Sequence, residues 1–160
     1  RLNAVECDVG NFREWRERYF LDNNSLTTEE MLMRLIGVFL IILFIHLSTK
    51  NRPSALIAIF FLMGSQVVNA IFHVFFSFYY SDFSPGAITA TLLYLPLNYF
   101  IIKAAFNESF LRNKIEVILL FLLGCATFTL FEMFGPIVLA ISTLFCTFYY
   151  VYSVYIMKTR

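Results

Sequence analysis

Residues 54–80 read SALIAIFFLMGSQVVNAIFHVFFSFYY. The stretch holds no Asp, Glu, Lys or Arg, and it exceeds the roughly 20 apolar residues that a helix needs to cross a bilayer. It reads as a membrane span. Among its polar positions, five form one stripe: Gln66, Asn69, His73, Ser77 and Tyr80. Spacings of three and four residues stack on one helical face. The neighbours Val67, Val68, Ile71, Phe72, Val74, Phe75 and Phe76 are apolar. A polar stripe on a span must face a protein interior or a wet cavity, because lipid cannot satisfy it.

Further apolar runs flank this one. The first span is expected over residues 31–49, with Lys50-Asn51-Arg52-Pro53 as the break before the second. Ser81 to Gly86 forms the next turn, with Ser84 as N-cap and Pro85 at the first helical position. The third span runs over 85–106, and Pro96 is expected to kink it. Asn107 to Lys114 is a polar loop. The fourth span covers 115–134, Gly135-Pro136 breaks it, and the fifth covers 137–157. The expected fold is all-α, a polytopic transmembrane bundle of about five spans in a single membrane domain over 1–160. Charged residues make up only 14% of the chain, against about 25% in soluble domains. The net charge of +1 excludes an electrostatic nucleic-acid partner.

Residues 1–30 are polar and mixed. Phe12, Trp15 and Tyr19 fall on one side of a short amphipathic helix, a pattern suited to the membrane interface or to packing on the spans. The chain begins at Arg1, so an upstream segment or span is expected. Cys7, Cys125 and Cys146 show no CxxC or zinc-finger spacing, and the last two read as small hydrophobes inside apolar runs.

Short basic loops orient a membrane protein. Lys50, Arg52, Arg112, Lys114, Lys158 and Arg160 share one side, which is assigned to the cytoplasm. The turns at Ser81–Ser84 and Gly135-Pro136 carry no basic residue. The N-terminal segment is then extracytoplasmic. His73 lies about 10 Å below that surface, at 1.5 Å per residue. Asn69 is one turn deeper. Glu132, Thr89 and the segment holding Glu6, Cys7 and Asp8 share the same side. Cys125, Thr129 and Glu132 occupy one face of the fourth span. His46 lies at the opposite, cytoplasmic end and reads as interfacial.

These residue types permit definite chemistry. A shielded His can serve as acid, base or metal ligand, and a carboxylate in a low-dielectric site can hold a proton. His73, Glu6 and Glu132 are the candidate catalytic residues. Asn69, Ser77, Tyr80 and Thr89 are the candidate substrate-binding residues. His73, Glu6 and Cys7 form the candidate set for a divalent metal such as zinc, although spacing alone supplies no HExxH. Asn and Ser on spans also simply cross-link helices.

Asn69-Ala70-Ile71-Phe72-His73, Tyr80, Phe83-Ser84-Pro85-Gly86-Ala87-Ile88-Thr89-Ala90 and Leu95-Pro96 resemble the second half of the HXXEE-motif family. That resemblance implies a small bacterial integral membrane protein, placed in the inner (cytoplasmic) membrane. The family is named for a His-x-x-Glu-Glu near its N-terminus, followed by a Gly-Phe-x-x-Trp stretch. Gly10-Asn11-Phe12-Arg13-Glu14-Trp15 is similar to the latter. Asn3-Ala4-Val5-Glu6-Cys7 stands where the naming motif belongs, and of its His and two Glu only Glu6 is kept. The resemblance implies His and Glu chemistry but carries no established reaction.

The leading expectation is a membrane protein with a polar pocket near the extracytoplasmic surface. It would act as an enzyme on a lipid or other amphiphile, with His73 as acid–base or ligand and a carboxylate as partner. A non-catalytic membrane binding or partner subunit is the alternative. Small faces such as Ser142, Cys146 and Ser153 on the fifth span would then meet a neighbouring helix in a homo- or hetero-oligomer. Transport of an ion or small solute is a third reading, weakened by the lack of an inverted repeat.

Overall fold

The computed structural model describes residues 28–79 and 86–156. The N-terminal amphipathic segment, Glu6, Cys7, Tyr80 and the Ser84-Pro85 cap therefore lie outside the described residues. Five helices and no strand are found among the described residues. They are α1 (Thr28–Thr49), α2 (Arg52–Tyr79), α3 (Ala87–Asn107), α4 (Lys114–Phe134) and α5 (Pro136–Tyr155). Helices α2 to α5 are each long and apolar enough to cross a membrane, while the apolar stretch of α1, Met33–Thr49, is shorter. Large apolar side chains cover the outer surface, among them Phe44, Leu92, Phe100, Leu122 and Phe145. A soluble monomer would not expose such a continuous apolar coat. The chain is an integral membrane protein.

Each turn has a local cause. At the end of α1, Lys50 takes a positive φ of 44°, and its N–H closes the helix on the His46 carbonyl at 2.7 Å. Asn51 is extended and caps α2, its side chain accepting from the Ser54 N–H. Pro53 occupies the first turn, where its missing N–H costs nothing. Asn113 caps α4 in the same way, accepting from the Glu116 N–H at 2.9 Å. Gly135, at φ 68° and ψ −147°, joins α4 to α5 in a conformation open almost only to glycine.

Helix α2 is the hub, touching every other helix. It is not uniformly α-helical. A π turn occupies Met63–Val68, and another occupies Ala90–Tyr94 of α3. The second precedes Pro96. Proline leaves a carbonyl without its donor, and the wider turn absorbs the defect: the Leu95 N–H reaches back to the Ala90 carbonyl. In α2, the Ser65 hydroxyl donates to the Phe61 carbonyl at 2.6 Å, a bond that competes with the helical ladder and bends it. At that point α2 crosses α4. A Cβ built on Gly124 would stand 3.0 Å from the Gly64 nitrogen, so the two backbones meet directly, as small residues allow in membranes.

The tightest core is off-centre. Ile59, Met63, Ala105 and Leu111 form a buried cluster between α2, the end of α3 and the start of α4. Beside it, α2, α4 and α5 line the cavity described next.

Candidate functional site

Between α2, α4 and α5, toward the Gly135 turn, lies a cavity of about 180 Å³. Helix α2 contributes Phe60, Gly64, Ser65 and Asn69 to its wall; α4 contributes Thr127, Phe128, Phe131 and Glu132. Ser142 of α5 and Leu35 of α1 also line it. Asn69 and Glu132, far apart in sequence, thus share one space. A second cavity of about 390 Å³, lined by Leu56, Leu120, Leu123, Ile141 and Phe145, adjoins it through Phe60, Thr127 and Ser142. Together they make a crevice polar at one end and apolar along the rest.

The stripe on α2 divides. Gln66 sits within the π turn and turns toward α3, where its Oε1 accepts from Asn98 Nδ2 at 2.8 Å. The same Asn98 nitrogen donates to the Tyr94 carbonyl at 2.8 Å, and Asn98 is buried at 3% exposure. Asn69 faces the α4–α5 side instead. A π turn carries an additional residue per turn, so positions that stack on a regular helix are rotated apart across it.

His73 follows Asn69 by one regular turn and is half-buried. Its ring meets Phe72 edge-on at 6.0 Å, and Phe72 packs on Phe128 of α4 at 5.8 Å. His73 does not line the cavity that holds Asn69 and Glu132. Ser77 is half-buried and Thr89 is exposed. On α4, Thr127 rather than Thr129 joins Glu132 in the cavity, and Cys125 is half-buried. Glu6, Cys7 and Tyr80 lie outside the described residues. Among the described residues, no group of three or more His, Cys, Asp or Glu could hold a metal ion.

A family profile described as a protein of unknown function with HXXEE motif matches residues 8–101. The chain belongs to the HXXEE family. The HXXEE match spans more than half of the chain and takes in α1, α2 and most of α3, with Asn69, His73, Ser77 and Thr89. It starts one residue past Cys7, so Asn3 to Cys7 lie outside it, and Glu132 lies beyond its other end. No curated protein and no solved structure matches the chain.

A second polar cluster in this HXXEE protein escaped the sequence reading. It sits at the opposite end of the bundle, among the basic loops. His46 Nδ1 lies 2.9 Å from Ser54 Oγ, and the Ser54 hydroxyl also reaches the Asn51 carbonyl at 2.9 Å. Asn51 Nδ2 donates to the Tyr150 hydroxyl of α5 at 3.2 Å. Arg52 donates to Glu116 at 2.6 Å and to the Phe110 carbonyl at 3.1 Å. Ser54 itself is 2% exposed. At the end of α1, the tight Lys50 turn also folds His46 against Ser54 at the start of α2. The available signal was a His and a Ser placed either side of a strong helix break.

Proposed function

We propose that this protein holds a lipid or other amphiphile in the crevice between α2, α4 and α5, with the polar head at Asn69 and Glu132 and the tail along the apolar part. The observation that carries the reading is the pairing of Asn69 with Glu132 at one end of an otherwise apolar crevice. From Glu132 to Leu120 the crevice wall runs about 18 Å along α4, at 1.5 Å per residue, which suits an extended acyl chain. On the positive-inside rule the head lies near the extracytoplasmic surface. His73 is one turn along α2 from Asn69 but outside the cavity lining, so the catalytic extension of this reading, His73 as acid or base with a carboxylate as partner, requires the head to reach past Asn69 to its ring.

The test is the lipid complement of the purified full chain. Mass spectrometry of extracted lipid is expected to show one amphiphile class enriched several-fold over the host membrane. Glu132→Gln and Asn69→Ala lower that enrichment, and Ser142→Trp, which fills the junction of the two cavities, removes it. If His73 acts on the bound species, His73→Ala retains it in an unprocessed form. A lipid profile identical to the bulk membrane in every variant overturns the proposal.

A further inference from the structure

The geometry points to a second reactive site at the basic-loop end, where Ser54 and His46 form a nucleophile–base pair set to accept an acyl group from an ester-bearing amphiphile. Ser54 and His46 lie at the opposite end of the bundle from Asn69 and Glu132, and either site can fail alone.

The separation of 2.9 Å between His46 Nδ1 and Ser54 Oγ is within the reach that a serine and its base require. Lys50 and Asn51 create the pairing by turning α1 directly into α2. Phe110 holds the His46 ring edge-on, with centroids 5.4 Å apart and planes at 78°. Ser54 lines a cavity of about 150 Å³ between α1, α2 and α5, whose walls include Ile42, Ile57, Phe61 and Cys146. Ile41 and Ile45, which line the same cavity, are exposed on the lipid-facing surface, so an acyl chain can enter from the side. Ser54 stands in the first turn of α2, about 5 Å or less inside the end of the span. That is the boundary between headgroup and hydrocarbon, where lipid ester carbonyls reside. Tyr150 lines the cavity too. Its oxygen accepts from Asn51, which leaves its own proton to donate to a developing oxyanion.

In the resting arrangement the Ser54 proton can point to the Asn51 carbonyl. With the His46 proton on Nε2, Nδ1 is an acceptor, and rotation of the hydroxyl redirects the Ser54 proton to it. Ser54 Oγ then bonds to the ester carbonyl carbon while its proton passes to Nδ1. The adduct collapses by breaking the C–O bond to the alcohol, which leaves with that proton. Water attacks the acyl–Ser54 ester by the same route and releases the carboxylic acid. One ester and one water give one acid and one alcohol, with Ser54 and His46 restored.

The test uses the full chain in detergent micelles and a long-chain alkyl fluorophosphonate, which loses fluoride to an activated serine. Peptide mass spectrometry is expected to find the phosphonyl group on Ser54. Ser54→Ala abolishes it, and His46→Gln slows it about 100-fold, the usual contribution of a general base. Release of nitrophenol from p-nitrophenyl decanoate falls in parallel. Size-exclusion profiles and thermal midpoints establish that the variants are folded; if His46→Gln is not, attachment at Ser54 in the wild type and its loss in Ser54→Ala decide. A wild-type Ser54 left unmodified, while a reference serine hydrolase in the same micelles is labelled, overturns the inference. So does undiminished labelling of folded His46→Gln.

Discussion

Gly64 and Gly124 meet at the crossing of α2 and α4, yet the two positions are not equivalent. A Cβ on Gly124 would lie 3.0 Å from the Gly64 nitrogen and 3.1 Å from the Met63 carbonyl carbon. Both are backbone atoms, which cannot swing aside as a side chain can. A Cβ on Gly64 would lie 3.7 Å from the Gly124 oxygen, an ordinary contact. Gly124→Ala is therefore expected to destabilise the fold by about 1–3 kcal/mol, the usual cost of overpacking. Gly64→Ala is expected to be neutral or to stabilise by up to about 1 kcal/mol, because alanine suits a helix better than glycine. Reversible unfolding in mixed micelles measures both. Equal losses at the two sites would mean that the helices do not cross here.

Between elements, α2 and α3 are joined by a buried amide pair, Asn98 to Gln66. Hydrogen bonds between membrane helices average about 0.6 kcal/mol and reach about 1.7. A double-mutant cycle with Asn98→Leu and Gln66→Leu is expected to give a coupling energy in that range. The double variant should be more stable than the two single losses added, since neither amide is then left without the other. Strict additivity would show that the bond contributes nothing. This pair also marks where reading the sequence stopped working. Helix ends were legible because their causes are local. The expected spans 54–80, 115–134 and 137–157 compare with Arg52–Tyr79, Lys114–Phe134 and Pro136–Tyr155, set by Pro53, Asn113 and Gly135. That Asn69 and Glu132 lie toward the same end of the bundle was legible too, because topology gives both the same side; that they line one cavity was not, since counting turns from the helix ends sets Asn69 deeper than Glu132. The turn of Gln66 away from Asn69 was not. A stripe drawn at a regular 100° per residue has no place for the π turn at Met63–Val68, which holds Ser65 bonded to the Phe61 carbonyl and Gly64 against Gly124. The His46–Ser54 contact was missed for a similar reason. It exists only because Lys50 accepts a left-handed backbone, a conformation that L side chains adopt at a cost.

At the scale of the whole molecule, charge and packing agree on one end of the bundle. Arg52 at the start of α2 pairs with Glu116 at the start of α4 at 2.6 Å, and the Glu116 carboxylate also accepts from the Arg112 backbone at 3.0 Å. Lys50, Arg112 and Lys114 lie two or four residues from one partner or the other and are exposed. The Gly135 turn at the far end carries no basic residue. We propose, on the positive-inside rule, that the Arg52 end is cytoplasmic, which would put the Asn69–Glu132 cavity in the outer half. Single cysteines test this in a background with the three native cysteines replaced. A membrane-impermeant maleimide applied to intact cells is expected to label Phe134→Cys, beside the Gly135 turn, and to reach Glu108→Cys only after permeabilisation. Replacing Lys50, Arg112 and Lys114 together by Gln leaves the Arg52–Glu116 pair in place but removes half of the six orienting charges. Both cysteines should then label partially in intact cells, as a mixture of orientations requires. Full labelling of Glu108→Cys in intact cells would invert the molecule. It would bring His46 and Ser54 to the outer surface and move the Asn69–Glu132 cavity to the cytoplasmic half, where it could draw only on amphiphiles of the inner leaflet.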